Sequence, residues 1–264
     1  MVTEIAQLSN LSTAYLQAFF LTLTRVSAIA LTSPLYGSRN VPAVVKVSLA
    51  VLLSLVLLPL NTDGLAIISE DLLGFVLALA RETVLGTLVG FCSGMMFTAM
   101  QMAAHLVGLQ MGFAFANVLD PMSQNQISLL DQLYSMLAIL AFLAINGHHF
   151  LIVGIQKTFE IVPLDTFALS AAMADRMIVL ASQLLVISVR ISFPVLAALL
   201  LADVALGIIA RLVPQFQVFF LGLPLKVGLG LLTLALALPM TVSWVGHLLD
   251  LTMSDIYVLL RAAG

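Results

Sequence analysis

The feature that most constrains the fold of this chain is its series of long apolar runs. A membrane-spanning helix needs about 20 mostly apolar residues, and such runs occupy most of the 264 residues. Hydrophobic residues make up 62% of the sequence and charged residues only 9%, whereas an ordinary globular domain has about 25% charged residues. The sequence therefore predicts an integral membrane protein whose excess apolar surface is covered by lipid or by neighbouring subunits.

The apolar runs predict an all-α, polytopic fold, because backbone polar groups in hydrocarbon must be hydrogen-bonded within their own segment. The shorter runs predict single helices at about 11–31, 43–60 and 127–145. The run from about Leu72 to Leu119 is too long for one span, so it predicts more than one helix. Asn146-Gly147 is a pair typical of a helix end.

Prolines predict interruptions in the two C-terminal runs, because proline cannot donate the helical hydrogen bond. Pro194 lies inside the run from about 177 to 209 and predicts a kink or a break there. Pro224 and Pro239 predict two helical pieces between about 216 and 245.

Composition and motifs argue against several functional classes. The net charge of −3 lacks the basic excess that nucleic-acid binding requires. Cys92 is the only cysteine, so neither an intramolecular disulfide nor a thiolate metal site can form. The sequence contains no HExxH motif, glycine-rich phosphate loop or GxSxG elbow. We therefore predict that the chain is not an enzyme and uses no cofactor.

Glycines recur at helical spacing in the third apolar run. They are Gly86, Gly90 and Gly94, followed by Gly108 and Gly112. Such spacing places small residues on one helix face, where another helix can approach closely. The stripe predicts close helix packing, either within this chain or between subunits.

Charged residues inside the apolar runs predict a second kind of contact. They are Arg25, the Arg81-Glu82 pair, Arg190 and Asp203. An ionisable group at membrane depth costs about 2.5–3.5 kcal/mol on insertion scales, so it faces a partner or a water-filled path. A proton or ion relay is one interpretation, and buried pairs or polar subunit contacts are the other. The second is favoured, because no two acids share helical spacing within one run.

The motif Gly108-Leu-Gln-Met-Gly112, followed by Asp120-Pro121, resembles the central signature of the FliR family, which are export-gate proteins of bacterial flagellar and type III secretion systems. Other blocks resemble the same family in order along nearly the whole chain. They are Arg25, Pro34, Arg39, Pro42 and Lys46, then Asn146-Gly147-His148, then Arg211-Leu-Val-Pro-Gln215 with Phe219 and Leu221-Gly-Leu-Pro-Leu-Lys226. The sequence of this central motif resembles the flagellar branch of the family more than the injectisome branch.

The resemblance implies an assembly of the bacterial inner membrane and the flagellar basal body. Members of this family join FliP and FliQ in a helical ring that forms the channel for unfolded export substrates, with FlhB and FlhA on the cytoplasmic side. By likeness, residues 1–170 are expected to form a FliP-like part and residues 171–264 a FliQ-like hairpin part. Much of such a complex is lifted out of the bilayer plane, so helices need not all be membrane crossings.

The resemblance also implies a role for the segment from about Gly112 to Gln124. In the family this loop lies in the pore and plugs it in the closed state. The residues carried over to the plug are Gly112, Phe113, Phe115, Asn117, Asp120, Pro121 and Met122, with Phe113 and Phe115 as the occluding side chains. Methionines cluster around this segment and can deform around a moving object, although ordinary core methionines give the same composition.

The resemblance assigns the isolated charges to contacts between subunits. These are Arg25, Arg190, Asp203 and Arg211. Three alternatives remain open: an injectisome export-gate subunit, a small-solute transporter that uses Glu82, Arg190 or Asp203, and a membrane-embedded enzyme. The transporter would show internal inverted symmetry, and no repeat is evident in the sequence.

Overall fold

A computed structural model describes residues 2–33, 36–37, 41–58, 71–113, 129–213 and 218–263. These residues form α-helices and no strand. The helices are α1 (Val2–Thr32), α2 (Ala43–Leu57), α3 (Leu72–Met111), α4 (Leu129–Ala144), α5 (Gly147–Ile161), α6 (Ala171–Leu212) and α7 (Val218–Arg261). The predicted all-α fold of a polytopic membrane protein is confirmed.

Among the described residues, four helical segments are long and apolar enough to cross a membrane. They are Ser12–Thr32, Leu72–Met111, Ala171–Leu212 and Phe220–Arg261. The α4–α5 pair meets the same criteria as a fifth segment, but its two helices are bent by 73°. The bend follows Asn146, which has the left-handed φ of 56° and ends α4 where the Asn-Gly pair predicts an end.

The three longest helices exceed the thickness of a bilayer. α3, α6 and α7 contain 40, 42 and 44 residues, which at about 1.5 Å per residue gives lengths of about 60–66 Å. The hydrocarbon core is only about 30 Å thick. Tilt alone would have to reach about 60°, outside the usual range of about 0–40°. A substantial part of each helix therefore lies outside the hydrocarbon.

Two predicted interruptions, within the run after Leu72 and between about 216 and 245, are wrong, and Pro194 does not break its helix. The run after Leu72 forms one 40-residue helix, not several, because nothing between Leu72 and Met111 ends a helix. α6 continues through Pro194, and α7 continues through Pro224 and Pro239. Each proline removes one backbone donor, whereas a break in apolar surroundings would leave several more backbone groups without partners.

By its contacts, the chain forms two compact units that are discontinuous in sequence. The first unit comprises residues 1–95, 146–180 and 251–264, and the second comprises 96–145 and 181–250. The core of the first unit includes Val26, Leu85, Phe159 and Leu259. In the second unit the rings of Phe97 and Phe142 pack 5.3 Å apart. These two units are defined by contacts between residues. The separate division into residues 1–170 and 171–264, which the family resemblance implies, stays a prediction.

Candidate functional site

Arg25, on α1, has the largest fully buried side chain among the described residues. Its side chain has no exposed surface, and neither has that of Glu82 on α3. The two form a bidentate pair, in which Arg25 Nε donates to Glu82 Oε2 and Nη2 donates to Oε1 at 2.9 Å. Because arginine presents a planar fork of donors, this geometry fits a carboxylate and could not be reproduced by lysine.

The remaining donors of Arg25 bind the end of α5. Nη1 donates to the carbonyl oxygens of Thr158 at 3.1 Å and Val162 at 2.7 Å, and Nη2 also donates to Pro163 O at 3.3 Å. The last carbonyls of a helix lack intrahelical partners and carry partial negative charge, so a cation is stabilised there. The guanidinium carbon also lies 4.4 Å from the ring centroid of Phe159.

Glu82 and Arg81 together hold the connection between α5 and α6. Glu82 Oε1 accepts a hydrogen bond from the backbone N–H of Asp165 at 2.9 Å. Arg81 Nη1 lies 3.0 Å from Asp165 Oδ1 in a half-exposed ion pair. As expected for adjacent helical residues, Arg81 and Glu82 do not pair with each other: Arg81 forms its ion pair with Asp165, and Glu82 forms its ion pair with Arg25. Asp165 adopts a φ of 62°, a left-handed conformation that aspartate tolerates.

The Arg25 centre therefore joins α1, α3 and the end of α5. All five N–H groups of the guanidinium have acceptors, and both Glu82 oxygens have donors. A completely buried pair whose donors and carboxylate oxygens all have partners is a structural anchor, not an open position in a proton relay. The predicted intersubunit role of Arg25 stays a prediction, and the partners found in the structure lie within the chain.

The glycine stripe lies against α1 at two of its positions. A Cβ added to Gly86 would lie 2.7 Å from both Ala28 Cβ and Arg25 O. One added to Gly90 would lie 1.8 Å from Thr32 Oγ1 and 2.8 Å from Ile29 O. These approaches are possible only for glycine, and they bring the backbone of α3 directly onto that of α1.

Gly112 ends α3 in a Schellman motif, and Gly108 supplies one of its acceptors. The N–H of Phe113 donates to Gly108 O at 3.0 Å, and the N–H of Gly112 donates to Leu109 O at 3.1 Å. Gly112 has a φ of +90°, which the motif requires and which L side chains avoid. The plug residues Phe115, Asn117, Asp120, Pro121 and Met122 lie outside the described residues, as does the segment from 114 to 128. The plug assignment therefore stays a prediction.

Replacing Gly112 with alanine is expected to destabilise the end of α3 by about 1–2 kcal/mol, because the left-handed conformation strains a residue with a Cβ. The added Cβ would also lie 2.6 Å from Leu223 Cδ2. Hydrogen exchange of the Phe113 amide should accelerate by about 5–30-fold. Gly228→Ala is the matched control, since its Cβ would meet no atom within 4 Å. Equal protection in the two variants would contradict the assignment.

A partly buried polar cluster lies in the second unit. Asp203 on α6 pairs with Lys226 on α7, and Gln110 Nε2 on α3 donates to Asp203 Oδ2 at 2.8 Å. Gln110 and Lys226 belong to two of the sequence blocks described above, which lie more than a hundred residues apart. The sequence singled out Asp203 as a buried charge but offered no signal for its partners.

The two remaining arginines predicted at subunit contacts are exposed. Arg190 lines a shallow groove with Pro194, Thr241 and Trp244, and Arg211 lies in the last turn of α6. Neither forms an ion pair or hydrogen bond with the residues that the structure describes. Within the same residues, no group of three or more His, Cys, Asp or Glu side chains is placed to hold a metal ion.

Comparison with known proteins shows which family this chain is similar to. Residues 16–252 match the sequence model of the family described as "Bacterial export proteins, family 1". The chain is 33% identical over 256 residues to the flagellar biosynthetic protein FliR of Bacillus subtilis (strain 168), covering 94% of this chain and 96% of that protein. It is 31% identical over 237 residues to FliR of Escherichia coli (strain K12), covering 89% of each. FliR of Aquifex aeolicus (strain VF5) is 27% identical over 241 residues, or 90% of this chain and 92% of that protein.

Proposed function

Because the chain belongs to the FliR family of bacterial export proteins, we propose that it is a subunit of the gate through which unfolded flagellar proteins leave the cytoplasm. The observation that carries the proposal is the family match across residues 16–252, which includes every site described above. The chain is a multi-pass protein of the inner membrane. Its relatives are named as flagellar biosynthetic proteins, which favours a flagellar over an injectisome gate and gives no support to an enzyme.

In the proposed gate, this chain forms a channel with FliP and FliQ, next to FlhB and FlhA. Exposed apolar side chains support an assembly of this kind, among them Leu201 and Leu212 on α6 and Leu236 on α7. The length of these helices places part of that surface outside the hydrocarbon, where protein partners must cover it. Arg190 and Arg211, exposed and without described partners, are suited to polar contacts with neighbouring subunits.

The segment that follows Gly112 acts as the plug in this proposal. The Schellman motif ends α3 immediately before this segment. Apolar and aromatic side chains at a constriction exclude water and ions by dewetting, yet an extended polypeptide can push them aside. No bond chemistry is required.

The rival function of small-solute transport would use Glu82 or Asp203 as a substrate or ion site. Glu82 has no exposed surface, and both of its oxygens are occupied by Arg25 and Asp165. Asp203 is held by Lys226 and Gln110. Native mass spectrometry after purification in mild detergent distinguishes the two functions. A gate subunit travels with several small membrane proteins, whereas a transporter that is purified alone and catalyses selective uptake would refute the proposal.

Deleting residues 113–117 is expected to increase small-ion leakage through the assembled gate, because the occluding side chains Phe113 and Phe115 are removed. The leak is measured as ion current or dye efflux in cells that express the complete complex. Phe150→Ala, which removes an exposed aromatic from α5, serves as the control for loss of a phenyl ring. An unchanged leak in a complex that still assembles would refute the plug assignment.

A further inference from the structure

A groove between α6 and α7 in the second unit is polar at one end and apolar at the other. The side chains that line it include Arg190, Ile191 and Pro194 from α6 and Ala237, Met240 and Trp244 from α7. The two helices run antiparallel in this unit. The lining residues are therefore ordered from Arg190 and Trp244 at the polar end to Pro194 and Ala237 at the apolar end.

The polar end of the groove contains an unpaired cation. Arg190 is exposed and forms no ion pair or hydrogen bond with any residue that the structure describes. Beside it, the indole of Trp244 packs edge-on against the ring of His247, with 5.9 Å between the ring centroids. Pro194 has no N–H, so the carbonyl of Arg190, four residues earlier, lacks its usual helical donor. This end therefore offers donors and an acceptor to a polar ligand.

The apolar end of the groove opens onto a band of helix surface without charge. None of residues 191–202 on α6 and none of residues 227–243 on α7 is charged. Arg190 and Asp203 are 13 positions apart, or about 20 Å along the helix, which fits within a hydrocarbon core of about 30 Å. Phe193 and Met240 are 64% and 53% exposed in this band. Such a surface is suited to acyl chains.

We propose that the groove binds an anionic phospholipid of the inner membrane. The lipid phosphate lies at Arg190 and Trp244, and an acyl chain lies along Pro194 and Ala237. Arginine binds phosphate through a planar fork of donors, and basic pockets between membrane helices bind anionic lipid head groups. Trp244 is the only tryptophan of the chain, and tryptophan is enriched where hydrocarbon meets the head groups. The bound lipid fixes the depth of the groove in the bilayer.

The change of polarity along the groove favours a lipid over a carboxylate of a neighbouring subunit. A carboxylate would pair with Arg190 but leave the apolar end uncovered, whereas a phospholipid matches both ends. Arg211 differs from Arg190, because it lies in the last turn of α6, where the helix end itself stabilises a cation, and it does not line the groove. The inference depends on the membrane location of the chain and not on its proposed role in a gate.

Fluorescence of Trp244 in the complete complex, reconstituted in nanodiscs, tests the site. Brominated phosphatidylglycerol is compared with brominated phosphatidylcholine as a quencher, and the same measurement on Trp244→Phe provides the signal of all other tryptophans for subtraction. The anionic lipid should quench Trp244 more strongly. Arg190→Gln should reduce this preference about fivefold, the effect of one basic residue at an anionic surface. Arg211→Gln is the matched control, since it removes an exposed arginine about 30 Å away along α6, and it should leave the preference unchanged.

The apolar end is tested by Ala237→Leu against Ala235→Leu. The first places a larger side chain in the groove, so it should reduce quenching by both lipids. The second adds the same side chain at an exposed position of α7 that does not line the groove, so quenching should stay at the wild-type value. If Arg190→Gln does not assemble, this pair of variants decides, because equal quenching in the two would refute the groove.

Two results would overturn the proposal at the polar end: equal quenching by both lipids in the wild type, or an unchanged lipid preference in Arg190→Gln. A contact with a neighbouring subunit predicts the second result together with a loss of partner proteins, measured by native mass spectrometry of Arg190→Gln. Neither result bears on the gate, whose tests are ion leakage and the proteins that copurify with the chain.

Discussion

Replacing Arg25 with methionine is expected to lower the free energy of unfolding by about 3–5 kcal/mol, because removing one partner of a buried pair leaves an uncompensated charge. Glu82 would lose both contacts to the guanidinium and keep only the N–H of Asp165. The carbonyl of Val162 would lose its donor as well, whereas that of Thr158 would keep the N–H of Val162. Titration of the detergent-purified protein with sodium dodecyl sulfate, followed by circular dichroism, measures the change.

Substitutions that preserve charge or shape separate the contributions to this anchor. Arg25→Lys keeps the charge but not the fork of donors, so it should recover little stability. The double variant Arg25→Met/Glu82→Leu removes both charges, and it should be more stable than Arg25→Met alone. Its recovery should be incomplete, because the buried carbonyl oxygen of Val162 still lacks a donor.

Arg81→Gln is the matched control, because Arg81 is adjacent in sequence to Glu82 and pairs at the surface. The Arg81 and Asp165 side chains are 51% and 30% exposed, so breaking their pair should change stability by less than about 1 kcal/mol. Equal effects of Arg25→Met and Arg81→Gln would contradict the view that Arg25 anchors three helices.

Hydropathy predicted the helical segments well where one run corresponds to one helix. The helix expected at about 127–145 extends over Leu129–Ala144, and the one expected at about 43–60 extends over Ala43–Leu57. It failed for the longer runs, because bilayer thickness limits how much of a helix fits in hydrocarbon, not how long the helix is. The break allowed at Pro194 is absent for a different reason, because proline costs one hydrogen bond and does not end α6.

The Arg25 centre shows why the sequence identified charges but not their partners. The cost of inserting a charge into the membrane predicted that Arg25 has a counter-ion. From the sequence alone, Glu82 and Asp203 were equally suitable counter-ions. Glu82 is 57 residues from Arg25, and the carbonyls that complete the centre are 133 to 138 residues away. Such partners depend on which helices become neighbours, and local periodicity carries no information on that choice.

The cluster of Gln110, Asp203 and Lys226 shows the same limit at the candidate functional site. Gln110 and Lys226 appeared in separate motifs, and Asp203 appeared only as an isolated charge in an apolar run. Glycine spacing likewise predicted a smooth face on α3 without indicating which helix lies against it. The structure identifies that helix as α1 for Gly86 and Gly90.

Replacing Gly90 with alanine is expected to destabilise the protein by about 1–3 kcal/mol, the usual cost of overpacking a close contact. The added Cβ would lie 1.8 Å from Thr32 Oγ1 and 2.8 Å from the backbone oxygen of Ile29, so α1 and α3 must separate. That cost should exceed the gain of about 1 kcal/mol that alanine brings to a helix interior.

Gly207→Ala provides the comparison, because Gly207 is exposed on α6 and its Cβ would meet nothing within 4 Å. Without a clash, only the helical gain remains, so this variant should be as stable as the wild type or slightly more stable. Adding Thr32→Ala to Gly90→Ala removes the nearest obstacle and should recover part of the loss. Recovery must stay incomplete, because the carbonyl of Ile29 cannot move without the backbone of α1. Full recovery, or equal stability of Gly90→Ala and Gly207→Ala, would show that the backbones of α1 and α3 are not in contact at Gly90.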